Sequence, residues 1–80
     1  MNHGLRLALE MLADAGEQGS TDVWFFSRFT PEIIDLLESG LATAEREVMR
    51  RNGRRHEIVR VRITDEGRRA IGGRSEFNRH

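Results

Sequence analysis

The sequence contains no cysteine, no lysine and no tyrosine, and only one proline among its 80 residues. Without cysteine there is neither a disulfide framework nor a thiolate metal site, so a chain near the lower size limit for a self-sufficient core must find its stability in burial. No apolar run approaches the roughly 20 residues that a membrane helix needs, and the amino-terminal residues lack the pattern of a signal peptide. A soluble, cytoplasmic protein with no membrane association is the expectation.

Catalytic and cofactor signals are equally sparse. His3, His56 and His80 are scattered along the chain, and no pair has the spacing of metal ligands. Ser20, Ser27, Ser39 and Ser75 have no adjacent base and no nucleophile elbow. The glycines form no phosphate-cradling loop ahead of a helix. No enzymatic activity, metal or cofactor is therefore expected.

Net charge is missing only in the sum. The formal total is zero, which taken alone argues against a partner as acidic as DNA. Residues 1–41, however, hold two Arg against seven carboxylates, a net −5, whereas residues 42–80 hold eleven Arg against six, a net +5. Every basic residue is Arg. A coding bias is enough to explain that, although the planar guanidinium fork also suits phosphate contacts.

The best-specified stretch runs from Phe29 to Leu41. Thr30 reads as the N-cap of a helix, Pro31 as its first helical residue, and Phe29 with Ile34 as a hydrophobic staple. Gly40 supplies a left-handed ending, with Leu41 folding back on Leu36 as in a Schellman motif. With Ile33, Ile34 and Leu37 turned to the core, the outward side presents Glu32, Asp35, Glu38 and Ser39.

Upstream, Leu5, Ala8, Leu9, Leu12 and Ala15 mark a helix over residues 3–15 that Gly16 ends. Ser20 or Thr21 would cap a short second helix through Arg28. Its segment Val23-Trp24-Phe25-Phe26 is too continuously apolar to bury every side chain, so at least one of Trp24 and Phe25 should be partly exposed. Downstream, residues 42–51 and 54–63 read as strands around Asn52-Gly53, the strongest short hairpin signal. Placing the turn there pairs Ala44 with Val61 and Glu45 with Arg60, and it separates an apolar face from a charge-matched one. Four arginines, Arg50, Arg51, Arg54 and Arg55, gather at the tip beside His56. Thr64 should cap a last helix reaching about Ile71, with a frayed tail over residues 73–80.

This order makes an α+β domain over residues 1–72: three helices, a two-stranded hairpin and a short closing helix. The segments Leu36-Leu37-Glu38-Ser39-Gly40-Leu41 and Ile63-Thr64-Asp65-Glu66-Gly67-Arg68-Arg69-Ala70-Ile71 resemble the end of the recognition helix and the exit from the wing in winged helix-turn-helix regulators of the MarR and PadR types. The chain lacks the long flanking dimerisation helices of those families. The resemblance implies a small DNA-binding domain, in transcription regulation, whose partner is double-stranded DNA. The acidic third helix is ill suited to reading bases, so contact is expected with phosphates through Arg50, Arg51, Arg54, Arg55, Arg60 and Arg62 of the wing. The alternative is a protein-interaction module of the same fold, which would use Trp24, Phe25, Glu32, Asp35 and Glu38. The uneven charge and surplus aromatics also suggest weak self-association, as a homodimer, or docking to a partner.

Overall fold

A computed structural model describes residues 2–72, so the expected frayed tail at 73–80 lies outside the described residues. The element order is α1 (His3–Ala15), a single 3₁₀ turn (Gly16–Gln18), α2 (Val23–Arg28), α3 (Thr30–Glu38), β1 (Ala42–Arg51), β2 (Arg54–Ile63) and α4 (Asp65–Ile71). The molecule is α+β: helices, then an antiparallel hairpin, then a carboxy-terminal helix.

Helix α1 starts at Asn2, whose side-chain oxygen accepts from the Leu5 N–H at 2.8 Å, and it stops at Gly16 with φ of 71°. Its buried stripe is Ala8, Leu9 and Leu12. The second helix forms as expected, but neither Ser20 nor Thr21 caps it. The Ser20 backbone is committed to β2 through Ser20 N–H to Val61 C=O at 2.8 Å and its reciprocal at 3.0 Å. Asp22 caps instead, accepting from the Trp24 N–H at 2.8 Å.

The junction between α2 and α3 is tighter than the Thr-Pro signal suggests. Phe29 occupies the capping position with no side-chain hydrogen bond, and its own N–H still reaches the Phe25 carbonyl of α2. Thr30 is therefore already helical. Its hydroxyl donates backward to the Phe26 carbonyl at 2.6 Å, satisfying an end of α2 rather than the start of α3. The staple does not form either, since Phe29 is buried against Phe25 and Trp24 while Ile34 remains 49% exposed. The core face of α3 is Ile33 and Leu36, with Leu37 half-buried. At its far end the Schellman pattern is complete: Leu41 N–H to Leu36 C=O at 2.9 Å and Gly40 N–H to Leu37 C=O at 3.3 Å.

The hairpin has the register that Asn52-Gly53 dictates, from Ala42 opposite Ile63 to Arg51 opposite Arg54. Both turn residues lie in the left-handed region, at φ of 55° and 76°, as a two-residue turn matched to strand twist requires. Only the base of the hairpin enters the core, through Ala42, Val61 and Ile63. The remainder projects, and the molecule measures 49 × 27 × 19 Å. Thr64 closes the base by accepting from the Gly67 N–H at 3.0 Å and donating to the Gly40 carbonyl at 2.8 Å, which ties the start of α4 to the end of α3.

Candidate nucleic-acid interface

The outer half of the hairpin is organised by its alternation. Each residue opposite a partner shares a face with it, so Arg50 and Arg55 lie on the face that looks toward α3, while Arg51 and Arg54 lie on the other. All four are exposed, and among the described residues none of their side chains makes a hydrogen bond or an ion pair. Two like-charged pairs thus stand directly opposed next to the turn, an arrangement that weakens the hairpin instead of supporting it. His56 is exposed beside them, across from Met49.

Arg60 and Arg62 are differently employed. Arg60 makes a two-point ion pair with Glu47, Nε to Oε2 at 2.8 Å and Nη2 to Oε1 at 3.0 Å, and donates from Nη1 to the Gln18 carbonyl at 2.8 Å. Arg62 pairs with Glu45 and donates from Nε to the Glu17 carbonyl at 2.9 Å. The ion pairs are diagonal, one step off the Glu45–Arg60 apposition of the backbone register. Together they clamp the 3₁₀ turn to the hairpin. The Arg60 hydrogen bonds hold the Glu47 carboxyl below its ordinary range, and Glu47 in turn raises the Arg60 guanidinium. The basic surface consequently stops short of Arg60. Arg46, farther out, has only a 4.0 Å approach to Glu57 between largely exposed side chains.

The residues named for protein interaction separate as well. Trp24 is 57% exposed, as one of the two aromatics had to be, whereas Phe25 is 2% exposed and belongs to the core. Glu32 is half-buried, with its Oε1 atom enclosed and, among the described residues, without a hydrogen-bond partner, packed toward Gly4 at the start of α1. Helix geometry explains the change: with Ile33 and Leu36 inward, position 32 turns toward α1 and Ile34 turns out. Asp35 and Glu38 are exposed.

One feature of the sequence was not singled out as a site. Between α3 and the hairpin lies an apolar groove of about 160 Å³, lined by Phe26, Ile33, Ile34, Leu37, Ala44 and Val59 among others. Val48, 52% exposed, continues it outward along the strands. The signal was present in the valines of the apolar hairpin face, which extend past the reach of the helices. No described helix is long and apolar enough to cross a membrane. Comparisons with known protein families, with curated proteins and with solved structures find no match.

Proposed function

We propose that the chain is a small winged-helix module that binds double-stranded nucleic acid through its wing tip, holding the phosphate backbone with little base selectivity. One observation carries this reading: Arg50 faces Arg55 and Arg51 faces Arg54, and among the described residues none of the four has an ion-pair partner. Four guanidinium groups concentrated in this way repel one another until an external polyanion arrives, and phosphates match their fork geometry. Arg60 and Arg62 serve the fold by positioning the wing. The third helix supports the non-selective form of the reading, because its exposed Asp35 and Glu38 would oppose phosphates and fit few base edges.

Each phosphate neutralised on duplex DNA contributes about 0.9 to the slope of log K against log salt, so four contacts predict a slope of about −3.6. Such a module binds weakly except at low ionic strength. The test is a fluorescence-anisotropy titration against two unrelated duplexes over a range of salt. The Arg51→Ala, Arg54→Ala double variant should flatten the slope by about 2, equally for both sequences. Absence of salt-dependent binding by the unaltered protein at low ionic strength overturns the proposal.

A further inference from the structure

We infer that His56 is a further phosphate contact of the wing, beside the four tip arginines, and that its protonation couples nucleic-acid binding to pH. The inference rests on the nucleic-acid reading and adds a proton to it.

The two faces of the outer hairpin are not equivalent. On the face that looks toward α3, the Arg50–Arg55 pair is followed inward by Val48 and Glu57. Glu57 is exposed, and Arg46 approaches it only to 4.0 Å, so a polyanion lying along that face meets a carboxylate just behind the tip. On the other face, the Arg51–Arg54 pair is followed by Met49 and His56, and then by Glu47 and Ile58. The carboxylates farther down this second face are already engaged. Arg60 holds both oxygens of Glu47, at 2.8 and 3.0 Å, and Arg62 pairs with Glu45. His56 thus stands between two arginines without ion-pair partners and a row of neutralised pairs. It is exposed, and among the described residues its side chain makes no hydrogen bond or ion pair.

Histidine is the side chain whose charge changes between about pH 5 and 8. The charged groups around His56 are Arg54, two residues along β2, and Arg51 and Glu47, diagonally across on β1; its chain neighbours Arg55 and Glu57 lie on the opposite face. With Glu47 engaged by Arg60, none of the groups on its own face supplies a free negative charge. A phosphate lying across Arg51 and Arg54 does supply one, and it favours the imidazolium over the neutral ring. The imidazolium carries two N–H donors and no acceptor, which suits phosphate oxygens. Binding therefore takes up a proton, and by reciprocity a lower pH tightens binding.

Fluorescence-anisotropy titrations of the full chain against one DNA duplex at pH 5.5 and at pH 8, each over a range of salt, test this. The slope of log K against log salt should be steeper at pH 5.5 by about 0.9, and binding at a fixed low salt should be tighter there by up to about fivefold. His56→Gln should show the shallower slope at both pH values, and His56→Arg the steeper one at both. Position 56 is exposed, so neither change should alter the far-ultraviolet circular dichroism. His3 and His80 are the other imidazoles of the chain, and the His3→Gln, His80→Gln double variant should keep the full pH dependence. Salt-dependent binding with one slope at both pH values overturns this inference and leaves the nucleic-acid reading standing, as does a pH effect that persists in His56→Gln. Absence of salt-dependent binding at both pH values overturns the two together.

Discussion

Gly67 sits inside α4, where alanine is about 1 kcal/mol more favourable by intrinsic helix propensity. Packing reverses that sign. A Cβ at position 67 would stand inside contact distance of the Leu41 carbonyl and 2.7 Å from Ile63 Cγ1, both parts of the hairpin base. Gly67→Ala should therefore destabilise the protein by about 1–3 kcal/mol, read as a lower urea midpoint. Gly40→Ala makes the complementary case, since nothing lies within 4 Å of its Cβ and only the backbone, at φ of 80°, resists. That change should cost about 1–2 kcal/mol through left-handed strain alone. Glu47 supplies the pH-dependent residue. Its carboxyl is held below the ordinary value of 4.5, chiefly by the hydrogen bond from Arg60. The stabilisation from that depressed pKa is complete above the ordinary value and is lost as pH falls through the lower, folded-state value. Urea denaturation at pH 6 and again near pH 3 should show a smaller acid-induced loss for Glu47→Gln than for the unaltered protein.

Among the elements, the hairpin was fully legible before the structure and the α2–α3 corner was not. Asn52-Gly53 demands two consecutive left-handed residues, and once the turn is placed every cross-strand pair follows. The corner depends on tertiary geometry. Thr30-Pro31-Glu32 carries the local signature of a helix start, yet Phe29 keeps its N–H bonded to α2, and the threonine hydroxyl donates to a carbonyl behind it instead of accepting from an N–H ahead. Thr30→Val should accordingly cost about 1 kcal/mol in thermal or urea unfolding, and Thr30→Ser much less, because only the hydroxyl is at stake. The inward face of α3 was misassigned for a related reason. Ile33, Ile34, Leu36 and Leu37 span nearly half the helix circumference, and periodicity alone does not say which edge the hairpin will cover. Asn2 and Asp22 went unnoticed as caps, although both residue types favour that position.

At the scale of the whole molecule, sequence separation decided what could be foreseen in the candidate site. The tip arginines are neighbours in sequence and were legible as a cluster. Arg60 and Arg62 were counted with them because their acceptors, the carbonyls of Gln18 and Glu17, lie 42 and 45 residues away.

The turn that sets the hairpin register is also a chemical clock. Gly53 has no side chain to shield its amide nitrogen, which can attack the Asn52 side-chain carbonyl carbon, expel ammonia and close a succinimide ring. Water then opens the ring to aspartate or isoaspartate, placing a new carboxylate amid Arg50, Arg51, Arg54 and Arg55. Protein kept at mildly alkaline pH should accumulate this change in the peptide spanning the turn, detectable by mass spectrometry, and Gly53→Ala should slow it. Asn52→Asp should reproduce the charge of the aged protein, so an old preparation would differ from a fresh one first at its tip.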